Sequence, residues 1–159
     1  MTNKSVIETI LNRHSYRGKY KSTPVPREDL ITIMKAGLSA PSGCNKQTTS
    51  LIAVDDPEVL EKLHSVIQPP VGETAPAMIC VLTQRIIAYR DRCFAVQDYS
   101  AAIENMLLAI VGLLLAICIV LHFVPSAGPL QPVKNFIDNL LGGGQKSDTK
   151  AEILSLTAD

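Results

Sequence analysis

Two short polar clusters carry the side chains best suited to hold a ligand. The first is Arg13-His14-Ser15-Tyr16-Arg17. A guanidinium offers a planar fork of donors that matches phosphate oxygens, and a serine hydroxyl adds a neutral donor. Two arginines four residues apart around a serine therefore read as an anion site. The same residues at a helix C-terminus would also complement its dipole. The second cluster is Pro41-Ser42-Gly43-Cys44-Asn45-Lys46-Gln47. Serine hydroxyls and Asn or Gln amides can hydrogen-bond the edge of a heteroaromatic ring, although such residues also populate ordinary turns. No Ser/His/Asp or Cys/His arrangement offers a protein nucleophile.

Those clusters need elements to position them. Ser5 and Glu8 form a capping box, and Val6, Ile7, Ile10 and Leu11 share one helical face. The pattern predicts a helix that runs into the basic cluster and stops near Gly18. Pro24 and Pro26 keep the next stretch out of a helix interior. Arg27, Glu28 and Asp29 open a second helix with Leu30, Ile33, Met34, Gly37 and Leu38 on its apolar side, ended by Pro41. The polar loop then leads into a buried strand over 50–54. Asp56 caps a third helix with Pro57 at its first position. A second buried strand is expected over 77–82, and a long helix over 91–116. A third strand is expected over 117–124, an amphipathic helix around Val133, Phe136, Ile137, Leu140 and Leu141, and a last strand over 151–156. Interspersed helices and strands point to an α+β class, a sheet covered by helices.

Composition bounds the function. The chain has 159 residues, 47% of them hydrophobic and 19% charged, which is enough for one domain with a true core. Lys and Arg (15) balance Asp and Glu (15), so no global field draws in nucleic acid. Cys44, Cys80, Cys93 and Cys118 form no C-x-x-C pair, which reads as reduced thiols in a cytoplasmic protein. The N-terminus has no signal-peptide pattern. Residues 106–124 contain no charged side chain, so a single membrane span is an alternative by length. Gly112, His122 and the β-branched second half favour a buried helix followed by a strand. Glu104-Asn105 heads this run and reads as a buried polar pair, and His64, after Leu63 on its helix, as solvent-facing. Arg85, Arg90 and Arg92 with Tyr89 make a local basic patch, by default a solvated loop, with recognition of a nucleotide 2′-phosphate as the alternative.

Taken in order, R-H-S-Y-R, P-V-P, A-G-L-S-A-P-S-G-x-N-x-Q, a strand ending V-D-D-P, A-P-A-M-I-C-V and Q-D-Y-S-A-A-I-E-N-M-L-L-A resemble the nitroreductase family of flavoproteins, over residues 6–112. The resemblance implies a helix-covered, mostly antiparallel sheet in a single domain over 1–159, atypical from about 113, that forms an intertwined homodimer. It implies FMN at the subunit interface, with Arg13 and Ser15 on the phosphate and ribityl chain, Arg17 near the pyrimidine edge and His14 adding backbone or side-chain contacts. Pro41, Ser42, Gly43 and Asn45 would come from the partner subunit, with Gln47 holding that loop. The long helix would form the dimer core. The implied activity is an NAD(P)H oxidoreductase that passes hydride to nitroaromatic, quinone or similar electron-poor acceptors. The flavin would carry the chemistry, so no catalytic side chain and no metal is called for. A catalytically impaired or flavin-free scaffold and a reductive dehalogenase are the alternatives on the same fold. Thr48-Thr49 stand where the family often has Pro-Trp, and the chain has no tryptophan.

Overall fold

A computed structural model of the chain describes residues 5–67, 72–113, 118–123 and 154–157, the last two segments as backbone only. Helix α1 spans Val6–Asn12 and begins with the expected capping box. Ser5 Oγ accepts from the Glu8 amide at 3.2 Å, and the Ser5 amide donates to Glu8 Oε2 at 3.0 Å. It stops at Asn12, before the basic cluster and short of the expected stop near Gly18. Arg13 already has extended backbone (φ −64°, ψ 125°), so the basic cluster lies outside the helix, in an irregular segment.

Helix α2 (Arg27–Leu38) is followed by a short 3₁₀ turn (Gly43–Asn45) and strand β1 (Thr49–Val54). Helix α3 (Pro57–Val66) starts where expected, with Asp56 Oδ1 accepting from the amides of Glu58 (2.9 Å) and Val59 (3.1 Å). Strand β2 (Met78–Thr83), helix α4 (Ala95–Gly112), strand β3 (Cys118–Phe123) and strand β4 (Leu154–Thr157) complete the described elements. Helix α4 begins later than position 91 because Tyr89 and Arg92 close a turn of their own. The expected helix over 133–141 lies outside the described residues.

The four strands lie in the order β3-β2-β1-β4. β1 pairs antiparallel with both β2 and β4, while β2 pairs parallel with β3. A parallel pair needs a crossover, and α4 is the helix that lies between β2 and β3. The fold is therefore α+β with a mostly antiparallel sheet, as the sequence implied.

Alternation along the strands splits the core in two. Leu51, Ala53, Ile79 and Val81 face α2 and α4, where they meet Leu30, Ile33, Met34, Tyr99, Met106 and Ile110. Ile52, Val54, Met78 and Cys80 face the other way and pack on Val59, Leu60 and Leu63 of α3. Burial on both faces explains why β1 and β2 read as unbroken apolar runs rather than alternating ones. His64 is half-buried rather than solvent-facing, because it follows Leu60 by one helical turn and shares its side of α3. The apolar run over 106–124 is divided between the end of α4 and β3. Among the described residues no helix is long and apolar enough to cross a membrane.

Burial pushes the Cys80 thiol up from its ordinary 9.0 to about 11. The neutral thiol suits its apolar surroundings, so this contribution to stability is complete below pH 9. It fades as pH rises from 9 through about 11, because the unfolded chain loses its thiol proton first. At pH 8 a thiol reagent is expected to label exposed Cys44 in the native protein and to reach Cys80 only after denaturation. Equal labelling rates for the two, followed by mass spectrometry, would contradict the packing of β2.

Candidate functional site

The polar loop is held by a buried acid. Asp98, in the first turn of α4, is only 6% exposed. Its Oδ1 accepts from the Gly43 amide at 2.8 Å. Ser42 closes the loop on itself: its carbonyl accepts from the Asn45 amide (3.0 Å) and its Oγ from the Gln47 amide (3.0 Å). Cys44, Asn45 and Gln47 all have left-handed backbone, with φ of 53°, 52° and 47°. Asn enters that region readily, whereas Cys and Gln do so at a cost of order 1 kcal/mol each. A loop that holds three such residues within four positions is over-determined by its surroundings. Phe94 supplies part of that constraint. Its ring lies so close to Gly43 that any side chain there would overlap it.

Thr48 and Thr83 join the loop's far end to β2, with their Oγ1 atoms 3.2 Å apart. Gly37, Leu38, Pro41, Ser42, Asp98 and Ala102 line a small cleft under the loop. Asp98→Ala removes the acceptor of the Gly43 amide, and should cost about 1–3 kcal/mol. Asp98→Asn keeps an oxygen at the same place and should recover most of that. Urea unfolding of the two variants checks this; equal losses would show that the carboxylate's charge, and not its hydrogen bond, holds the loop.

The basic segment leaves α1 with Arg13 31% exposed and its Nε 3.2 Å from Oε1 of Glu104. His14 Nδ1 donates to the Asn12 carbonyl at 2.9 Å, so its tautomer is fixed while that contact persists. Ser15 and Arg17 are exposed. Tyr16 turns back over Gly18, donates to the Lys19 carbonyl (2.9 Å) and meets the Tyr20 ring edge-on at 5.1 Å. The Tyr20 amide donates to Thr74 Oγ1 at 2.8 Å, which pins the segment to the loop before β2. Arg13, Ser15 and Arg17 thus form a cationic, hydroxyl-bearing stretch of irregular backbone.

Both clusters are tied to α4, one through Asp98 and the other through Glu104. Six helical residues separate these acids by about 9 Å along the axis and by about 120° around it. One chain therefore presents the two clusters on different sides of the same helix. The expected Glu104-Asn105 buried pair does not form. Glu104 is about half exposed and binds Arg13, while Asn105 donates to the Ala36 carbonyl at 3.1 Å. Sequence reasoning passed over Asp98 and Phe94 as site residues. The available signal for Asp98 was an acid seven residues before Asn105, hence on the same face of a helix otherwise apolar there.

Set against known proteins, residues 10–71 match the sequence model of the nitroreductase family. That stretch contains both polar clusters. The CLA biosynthesis enone reductase of Lactiplantibacillus plantarum is 28% identical over 96 residues, 57% of this chain and 44% of that protein. A crystal structure of a nitroreductase with bound FMN from Bacteroides fragilis superposes with a TM-score of 0.59 at 29% identity, covering 69% of this chain and 66% of that one. A Clostridium acetobutylicum protein that carries an NADH oxidase designation gives a TM-score of 0.63 at 27% identity, covering 95% and 87%. The chain thus spans less than half of the curated relative it matches and just under two thirds of the Bacteroides fragilis structure.

Proposed function

We propose, from a chain that resembles the nitroreductase family in sequence over residues 10–71 and in fold over its described part, that this protein is an FMN-dependent NAD(P)H oxidoreductase. The observation that carries the proposal is that the matched stretch contains both a cationic segment suited to a phosphate and a loop locked in left-handed backbone. The donor set fits FMN. Arg13 has one guanidinium nitrogen engaged by Glu104, which leaves the rest of its fork for phosphate oxygens. Ser15 adds a hydroxyl, and exposed His14 beside it adds a backbone or side-chain contact. Arg17 would sit at the ring's pyrimidine edge and favour negative charge there. Pro41, Ser42, Gly43 and Asn45, with Gln47 behind them, would close on the ring.

When bound, FMN supplies hydride transfer between NAD(P)H and an electron-poor acceptor. Nitroaromatics, quinones and conjugated ketones share the required chemistry, and the enone reductase relative is named for the last of these. The protein's part is to orient the reactants within about 3–3.5 Å and to exclude water.

The placement of the two clusters on different sides of α4 supports a homodimer, in which one subunit's basic segment faces the other's loop. Helix α1 supports it too. Its apolar face is uncovered in one chain, with Val6 73% and Leu11 78% exposed. Apolar stripes of that kind are normally buried by a neighbour. The free thiols of Cys44 and Cys93 suit the cytoplasm. We take residues 1–159 as one domain on this reading.

The deciding experiment is the absorbance spectrum of the purified protein with flavin stoichiometry, together with its mass by light scattering. Equimolar FMN in a dimer is expected. A protein that is colourless when purified and stays so after soaking in FMN would end the enzymatic reading and leave the flavin-free scaffold.

A further inference from the structure

Between β2 and α4 the chain makes an excursion over residues 84–92 that neither core uses. Its two ends grip the polar loop. It departs from Thr83, whose Oγ1 lies 3.2 Å from that of Thr48, and it returns through Phe94, which packs on Gly43. The excursion is an ordered arm. The Arg92 amide donates to the Tyr89 carbonyl at 2.9 Å, and the Ala88 amide to the Arg92 carbonyl at 2.9 Å, so residues 89–92 form a closed turn.

The side chains on this arm are unusual for a surface loop in a chain with no net charge. Arg85, Arg90 and Arg92 are all exposed, against one acid, Asp91. Three cations less one anion give the arm a formal charge of +2. No ion pair holds any of the three arginines among the described residues. Arg90 occupies the tip with left-handed backbone (φ 53°), a position where Gly or Asn costs less. Its guanidinium lies over the Tyr89 ring, 5.2 Å from the centroid. Ile86, Ile87 and Tyr89 add exposed apolar surface alongside. A planar cation layered on an aromatic ring, next to aliphatic side chains and two more guanidinium groups, is chemistry for a flat purine that carries a phosphate.

We propose that the arm binds the adenosine end of the reductant and reads its 2′-phosphate, so that the protein uses NADPH in preference to NADH. This deepens the flavin-reductase reading and rests on it for the identity of the ligand. The geometry suits the role. The arm rises from the side of the polar loop, where the reacting ring would sit. Arg90, seven residues past Thr83, can stand at most about 23 Å from the arm's base, which leaves the far end of a dinucleotide within reach. NADH lacks the phosphate, so it would gain only the stacking contact.

The test is a calorimetric titration with adenosine 2′,5′-bisphosphate and with adenosine 5′-monophosphate, which needs no turnover. The bisphosphate is expected to bind at least about tenfold more tightly, the range of one or two charge-assisted contacts. The double variant Arg90→Ala/Arg92→Ala should erase that difference, and the exposure of both residues leaves the fold intact. In steady state the same variant should raise KM for NADPH by a larger factor than KM for NADH, since both nucleotides lose the Arg90 stacking contact and NADPH alone also loses its phosphate partners. Equal affinity for the two nucleotides, or an unchanged preference in the variant, overturns the proposal. A colourless protein that still discriminates the nucleotides through these arginines would keep the arm's role and sink the flavin assignment. A yellow protein that does not discriminate would do the reverse.

Discussion

Replacing Arg13 with alanine is expected to leave a folded protein that no longer retains FMN. A phosphate that loses one charge-assisted guanidinium partner gives up about 1.5–3 kcal/mol, which is roughly a ten- to hundredfold loss of affinity. The fold should hardly notice. Among the described residues Arg13 pairs with an exposed carboxylate, Glu104, and such surface pairs contribute about 0–1 kcal/mol. Flavin loss without a shift in the unfolding midpoint of the flavin-free protein is thus the signature of a binding residue. Arg13→Lys should also fail, since an ammonium cannot present the planar fork. Glu104→Gln gives the opposite control. It removes an anion that competes for the same guanidinium, so FMN affinity should hold or rise. Retention of full flavin by Arg13→Ala, measured by absorbance after gel filtration, would show that the basic segment has been misassigned.

The pattern of what could be read beforehand follows from the range of each interaction. Local signals transferred directly into structure. The Ser5/Glu8 box and the Asp56-Pro57 start use atoms within three residues of each other, and both helices begin where those residues put them. The two central strands were legible from their unbroken apolar runs, because both faces of the sheet are covered. Helix ends were less legible. The periodic pattern could be continued past Asn12, yet Arg13 adopts extended backbone. The start of α4 was hidden by the turn at Tyr89 and Arg92.

The polar loop was visible as composition but not as conformation. Its left-handed residues are Cys44, Asn45 and Gln47, and two of those three types give no hint of that backbone. What imposes it is 55 residues away: Asp98 on the Gly43 amide. Contacts of such sequence separation leave no periodicity to read. The family resemblance included Asp98, in Q-D-Y-S-A-A-I-E-N-M-L-L-A, but assigned its helix to the dimer core and not to the support of the loop.

That dependence on α4 sets the second large effect. Gly43→Ala should destabilise the loop by more than an ordinary surface substitution. The added methyl would overlap Cβ, Cγ and Cδ2 of Phe94. These atoms are close to the main chain, so Phe94 cannot swing clear by a rotamer change alone. Either the start of α4 or the loop must move. Overpacking of this kind costs about 1–3 kcal/mol, and displacing Gly43 also breaks its bond to Asp98, for about another 1–3 kcal/mol. A double-mutant cycle separates this collision from any general intolerance at position 43. Phe94→Gly alone loses packing, but in that background Gly43→Ala should cost almost nothing, since Cβ, Cγ and Cδ2 are all gone. Urea midpoints of the four proteins give the coupling, and it should be large and favourable. If Gly43→Ala costs the same with and without the Phe94 side chain, that side chain is not what shapes the loop. On the flavin reading, Gly43→Ala should also lower activity while the basic segment stays intact. The two sites then fail in different ways, Arg13→Ala by losing flavin from a stable protein and Gly43→Ala by losing the loop first.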